Sequence, residues 1–211
     1  LFTIIIFKGF KDSKINFMLL KEKIGFVSNN YLLTLTGAFS GQVDKLVIAP
    51  LLGFVILGNY SLALQVVMVL FIIPGIVYKY TLSYDASGNE NKKIKYITFL
   101  ISVILAITVI LLSPSIVPLF FPQYDHVISG IQIMSLDIIP TTLIYFYTSK
   151  LLGNEKSKYI TISYVLGFVT MLSGMIILGQ AYEVAGLAIS LVLSSMTQLI
   201  FLFMIRNKVE Q

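Results

Sequence analysis

The chain has 211 residues, of which 57% are hydrophobic and only 12% are charged, and its mean hydropathy is +0.90. This composition excludes a water-soluble domain, because the surface of such a domain would lack the polar residues it needs. The net charge of +5 is carried by lysines confined to a few segments, which argues against a nucleic-acid partner, and the absence of cysteine excludes disulfides and thiolate metal sites.

The first segment, residues 1–24, is predicted to contain the end of a truncated helix and a cytoplasmic linker. The sequence starts at Leu1 rather than at methionine, and "LFTIIIF" resembles the end of a span more than a signal peptide. The chain is therefore expected to be the C-terminal part of a longer transporter. The following stretch, "KGFKDSKINFMLLKEKI", suits an interfacial amphipathic helix or a plain tether between two halves of a protein.

Six runs of about 20 mostly apolar residues follow, each long enough to cross roughly 30 Å of hydrocarbon as an α-helix. The predicted helices are 26–50, 59–81, 96–118, 127–149, 159–179 and 184–205. Together they form a six-helix transmembrane lobe over residues 25–206, followed by a short cytoplasmic tail, 207–211. The predicted fold class is therefore an all-α, polytopic membrane protein.

The basic residues predict the orientation of these helices. All of them except Lys45 lie in four segments, 8–24, 79–95, 150–158 and the tail. The three loops that alternate with these segments, 51–58, 114–126 and 180–183, contain no lysine or arginine. Because lysine-rich loops stay cytoplasmic, the first full helix is predicted to run outward and the C-terminus to be cytoplasmic.

Several polar residues lie inside the first predicted helix, on one face, at intervals of four and three residues: Asn30, Thr34, Gly37, Gly41 and Asp44. The GxxxG pair is interpreted as a helix-packing site. An intramembrane acid is costly unless it faces a bundle interior or water, so Asn30, Thr34 and Asp44 are candidate cavity residues. Lys45 turns away from this face and is either a cation for an anionic substrate or an interfacial anchor.

Asp137 lies near the middle of the fourth predicted helix, in "QIMSLDIIPTT". Pro140 removes a backbone donor there and is predicted to bend the helix close to the acid. A carboxylate beside a broken helix is the arrangement that transporters use for coupling ions. Asp137 and Pro140 are therefore candidate ion-coupling residues, and the alternative is a buried acid that is paired or protonated.

Small residues recur at intervals of four in the last predicted helix, at Gly186, Ser190 and Ser194. A stripe of this kind is typical of a face that packs closely against another helix.

Catalytic motifs are absent: the sequence has no HExxH, GxSxG, P-loop or GxGxxG opening a helix. The single histidine, His126, is expected to be an exposed interfacial residue, and a transition-metal site is not predicted. The chain is predicted not to be an enzyme and to need no cofactor, apart from H⁺ or Na⁺ as a possible coupling ion.

Three stretches carry a family resemblance. "VDKLVIAPLLGFVILGNYSLA" (43–63) resembles a pattern of Asp plus a basic residue, a short turn that contains glycine, and Gly-x-Tyr-x-x-Ala at the start of the next helix. "LFFPQYDHVISGIQIMSLDIIP" (119–140) resembles a Phe-Gly-x-x-Tyr turn before a helix, and "YEVAGLAISLVLSS" (182–195) resembles a Tyr-Gly-x-x-Gly-Ala-Ala opening. These patterns are similar to those of the MOP superfamily of oligosaccharide flippases and MATE drug exporters. The chain departs from these patterns at three positions: Pro122 stands where the family often has glycine, and Glu183 and Leu187 stand where it usually has small residues.

The resemblance implies a two-lobe transporter, of which this chain would be the C-terminal six-helix lobe. It implies alternating-access export of a lipid-linked oligosaccharide for polysaccharide biosynthesis, such as O-antigen, capsule or cell-surface glycan, across the inner or plasma membrane. The implied partners are that glycolipid, membrane lipids and the missing N-terminal lobe, with no nucleic acid. A MATE-like cation-coupled exporter is the alternative, and a membrane-embedded enzyme of glycan assembly is less favoured because the predicted loops are short.

Overall fold

The structure is a computed structural model that describes residues 17–124 and 127–209. Within these ranges the chain is all-helical, as predicted, and no strand is formed. Its elements are seven α-helices and one 3-10 turn: α1 (Phe17–Leu52), α2 (Phe54–Met68), the turn Val69–Phe71, α3 (Ile72–Ala86), α4 (Lys92–Phe120), α5 (Val127–Ser135), α6 (Ile138–Gly153) and α7 (Ser157–Val209).

Four segments within the described ranges are long and apolar enough to cross a membrane: Phe54–Ala86, Lys92–Phe120, Val127–Gly153 and Ser157–Arg206. The chain is therefore a membrane protein. The second segment of this kind is one uninterrupted helix, α4, whereas the first and third each join two shorter helices end to end. Six spans are predicted, and four segments of the described residues meet the criteria of length and hydropathy for a span.

The helices extend well beyond their predicted ends. α1 starts at Phe17, inside the predicted linker, and passes Pro50 to end at Leu52. Gly53 alone separates α1 from α2, and α4 begins at Lys92 and ends at Phe120, four residues before and two residues after the predicted helix 96–118. Within the predicted loop 180–183, only Glu183 has non-helical torsion angles. Backbone groups have no water partners in hydrocarbon, so continued helices satisfy more of them than open loops would.

Glu183 divides α7 into two arms, 157–182 and 184–209, which pack against each other as an antiparallel pair. The hydroxyl of Ser194 donates a 2.8 Å hydrogen bond to the carbonyl of Gly167, and Ser190 lies against Gly174. A side chain at Gly186 would meet the carbonyl of Leu178. The stripe of small residues is thus a packing face, as predicted, because small side chains let two backbones approach closely.

The centre of the bundle is formed by α5 and α6, which pack against α2, α3, α4 and α7. The larger of two apolar clusters joins Tyr60 and Val67 of α2 to Ile131 and Met134 of α5. The smaller joins Ile144 and Leu151 of α6 to Ile160 and Leu202, one from each arm of α7. Asp137 lies at the junction between α5 and α6 and is turned inward, with 9% exposed, whereas its neighbour Leu136 is turned outward, with 41% exposed.

Candidate functional site

The α5–α6 junction is a tightened turn at Leu136 and Asp137. The amide groups of Leu136, Asp137 and Ile139 each donate to the carbonyl three residues earlier, at 3.0–3.2 Å, in place of the α-helical partner. Pro140 is buried in the first turn of α6, where a missing N–H is tolerated. The helix is therefore interrupted beside Asp137, close to where the sequence predicts a bend.

The carboxyl group of Asp137 is buried, with only 9% of the residue exposed. Its Oδ2 accepts a 3.3 Å hydrogen bond from the hydroxyl of Thr141. Its Oδ1 lacks a hydrogen bond of good geometry, and the side chain of Ser195, from the second arm of α7, is a further polar neighbour that faces the carboxyl group. A buried acid with few hydrogen-bond donors is costly to ionise, and a bound proton or cation would lower that cost.

Three tyrosines extend this site along the bundle. Tyr145, eight residues after Asp137 on α6, lies within electrostatic range of the acid. Its ring stacks on Tyr78 of α3, with 5.0 Å between centroids, and the partly buried Tyr164 of α7 lies within electrostatic range of both. The sequence analysis did not identify this group, although Asp137, Thr141 and Tyr145 recur at intervals of four, which places them on neighbouring positions of one helix face.

Another buried polar group lies on the same helix. The hydroxyl of Thr148 is buried and has no hydrogen-bond partner. Thr148 follows Asp137 by eleven residues, which corresponds to about three helical turns and about 16 Å along the axis, so both side chains point in nearly the same direction. The polar face of α6 thus extends from the break at Asp137 towards the end of the helix.

The other predicted cavity residues lie on α1. Thr34 is exposed, and its hydroxyl donates a 3.0 Å hydrogen bond to the carbonyl of Asn30 within the same helix. Lys45 is half-buried. The side chains of Gly37, Gly41 and Asp44 lie outside the described residues, and so do Asp125 and His126.

The described residues contain no group of three His, Asp or Glu side chains close enough to hold a metal ion. A cation at Asp137 would instead have one carboxylate and neutral hydroxyl groups as neighbours. This set of oxygen ligands suits a proton or a monovalent cation better than a transition metal, which prefers imidazole or thiolate.

No family model matches the chain, and no curated protein or solved structure matches it. The resemblance to the MOP superfamily therefore rests on the three sequence stretches alone.

Proposed function

We propose that the chain is one lobe of an alternating-access transporter that exports a lipid-linked oligosaccharide, with Asp137 as the site that couples export to H⁺ or Na⁺. The proposal depends most on one observation. Asp137 is a buried carboxyl group at a helix break in an apolar bundle, and the side chains of Thr141 and Ser195 that face it carry only neutral hydroxyl groups. Intramembrane acids of this kind mark ion pathways.

Helix lengths support the six-span lobe. The segment Ser157–Arg206 has 50 residues, about 75 Å of helix, which is more than twice the roughly 30 Å of a hydrocarbon core. The bend at Glu183 divides it into two arms, each long enough to cross once. α1 has 36 residues and contributes the first span in this proposal. With the cytoplasmic ends predicted by the lysines, the lobe crosses an inner or plasma membrane six times.

Two backbone positions support the proposed family. Gly53, in the glycine turn of the first stretch, has φ of +86°, a region that residues with a Cβ rarely occupy. Glu183 has φ of +48° and stands at the position where the third pattern has glycine. Both motifs thus coincide with backbone turns that favour glycine. The proposed substrate class and the missing N-terminal lobe follow from this resemblance.

A cation-coupled exporter of drugs or other small molecules is the second candidate, and Asp137 favours it directly. It shares the coupling site with the first candidate and differs in substrate. An enzyme of glycan assembly is less favoured, because the described connections 87–91 and 154–156 are too short to carry an extramembrane catalytic loop.

Transport by the full-length protein in proteoliposomes tests the proposal. Under an imposed H⁺ or Na⁺ gradient, we expect Asp137→Asn to abolish gradient-driven transport or to uncouple it from the ion, because an amide cannot carry the negative charge that a coupling site needs. Lipid-linked oligosaccharide and an organic cation are offered as separate substrates, and the one transported distinguishes the two candidates.

Glu183→Gln is the matched control. Like Asp137→Asn, it replaces a carboxylate by an amide of nearly the same size, but the residue is exposed. We expect this variant to transport at the wild-type rate. Gradient-driven transport by Asp137→Asn at the wild-type rate would reduce Asp137 to a structural residue, and transport of neither substrate class by the wild type would contradict the proposed function.

A further inference from the structure

A cavity of about 420 Å³ opens at the end of the bundle where α4 begins and where α6 and α7 end. Its charged lining comprises Glu90 and four basic residues: Lys92, Lys95, Lys150 and Arg206. These basic residues come from three different segments that the sequence analysis interpreted as separate cytoplasmic loops. Its volume lies within the range of about 300–1,000 Å³ that is typical of small-molecule sites.

Ion pairs and a hydrogen bond hold the charged side chains at one end of this cavity in place. Lys95 is almost buried, and its ammonium group lies 2.9 Å from Asp85 and 3.5 Å from Glu90. Asp85 is held in turn by the hydroxyl of Ser149, at 2.5 Å. Glu90 also lies 4.0 Å from Lys92. The lining contains four basic residues and one acid, and with Asp85 behind it the formal charge of this group is +2.

One wall of the cavity is apolar. Leu143, Phe146 and Tyr147 line it from α6, in the two turns before Lys150. A second cavity of about 210 Å³ adjoins it and shares Glu90 and Lys150, and its other lining residues are polar or lack a side chain: Asp85, Gly88, Asn89 and Asn154. The larger cavity alone thus combines cationic side chains with hydrocarbon and aromatic surface.

We propose that the larger cavity binds the phosphate group of an anionic amphiphile. Arg206 offers a planar set of donors that matches phosphate oxygens, while Lys92 and Lys150 offer compact positive charges. The apolar wall contacts the part of the ligand next to the phosphate. Basic pockets between helices at a membrane surface are suited to lipid headgroups, so a membrane phospholipid is the source that the wall favours over free phosphate.

The binding test is independent of the proposed transport function, because it needs neither an ion gradient nor transport across a vesicle membrane. The purified full-length protein in a non-ionic detergent is titrated with dioctanoyl phosphatidic acid, and the midpoint of thermal unfolding is followed. A ligand that binds only the folded state raises this midpoint in a saturable manner. Parallel titrations use inorganic phosphate and dioctanoyl phosphatidylcholine.

The test variant is the double substitution Lys92→Gln/Arg206→Gln. Both residues are exposed, Lys92 with 86% of its side chain, so the unliganded midpoint should stay at the wild-type value. We expect the half-saturating concentration of phosphatidic acid to rise at least about tenfold, as when one charge-assisted hydrogen bond is lost. The matched control is Lys93→Gln/Lys158→Gln, which removes two exposed lysines outside the cavity and should bind like the wild type.

Lys150→Gln provides a second test within the cavity and should weaken binding in the same direction. Saturable binding of inorganic phosphate with the same dependence on the variants would support the site and identify its ligand as soluble phosphate. An unchanged half-saturating concentration in the test variant, or equal stabilisation by phosphatidylcholine, would overturn the proposal.

Discussion

The ion pair between Lys95 and Asp85 joins the start of α4 to the end of α3. The side chains are only 11% and 5% exposed, and their closest atoms are 2.9 Å apart. Asp85 also accepts a hydrogen bond from Ser149 of α6, so one carboxylate connects three helices. Buried charges are tolerated when they are paired and hydrogen-bonded, and both conditions hold here. The pair therefore orders the end of the bundle that contains the cationic cavity.

Breaking this pair from one side should be costly. We expect Lys95→Met to lower the free energy of unfolding by about 3–5 kcal/mol, because Asp85 would stay buried without a cation. The double variant Lys95→Met/Asp85→Leu should recover most of this loss, since replacing both charges by apolar groups is often nearly neutral. Equilibrium unfolding in mixed detergent micelles compares the wild type, Lys95→Met and the double variant.

Lys92→Met is the control for this experiment. Its ammonium group lies 4.0 Å from Glu90, and its side chain is 86% exposed, so the expected change is within about 1 kcal/mol. A loss of the same small size in Lys95→Met would show that water screens the Lys95–Asp85 pair.

At the scale of elements, the bend in α7 has an unusual residue at its centre. Glu183 has φ of +48° and ψ of −125°, a conformation that glycine adopts freely and that strains residues with a Cβ. The bend is nevertheless kept, because the two arms pack closely through Gly186 and Ser190. Packing between the arms thus outweighs the local preference of Glu183 for an ordinary helical conformation.

Relieving this strain should stabilise the protein. We expect Glu183→Gly to raise the free energy of unfolding by about 1 kcal/mol, the strain relieved less the extra backbone entropy of glycine in the unfolded chain. Glu183→Ala removes the same charge and keeps a Cβ, so it should bring no gain. Thermal unfolding in detergent compares the variants, and an equal gain in both would assign the effect to the charge.

At the scale of the whole molecule, residues from three of the four lysine-bearing segments line one cavity. Lys92 and Lys95 come from segment 79–95, Lys150 comes from segment 150–158, and Arg206 lies at the end of the last helix, next to the tail. They therefore share one end of the bundle, which is the arrangement that a common cytoplasmic side requires. The connection at residues 121–124 joins α4 to α5, after α4 has run 29 residues from that end.

Cysteine labelling can test this topology, because these 211 residues contain no cysteine that would react in place of an introduced one. In intact cells, we expect cysteines at Ser87 and Asn154 to be protected from a membrane-impermeant maleimide and one at Gln123 to react. All three residues are exposed. Reaction of the Ser87 and Gln123 variants from the same side would contradict the predicted crossing of α4.

Much of the fold could be predicted because it depends on local sequence. The apolar runs and the proline beside Asp137 predict helices and a break, and the structure has both. The helix starts are predicted less well than the core of each helix: the first helix is predicted from residue 26, yet α1 begins at Phe17, and α4 begins at Lys92 rather than at residue 96. A longer helix satisfies more backbone groups than an open loop would.

The sequence by itself determined that this is an all-helical membrane protein and that Asp137 lies within an apolar segment long enough to cross a membrane, because both depend on composition and local order. Only the tertiary structure decided that Ser195 of α7 faces Asp137 and that Tyr78 of α3 stacks on Tyr145 of α6. It also decided that Lys150 and Arg206 share a cavity with Lys92. The physical reason is that helices which are apolar on all sides carry no strong preference for which face turns inward. Their rotation is set by close packing between segments far apart in the chain.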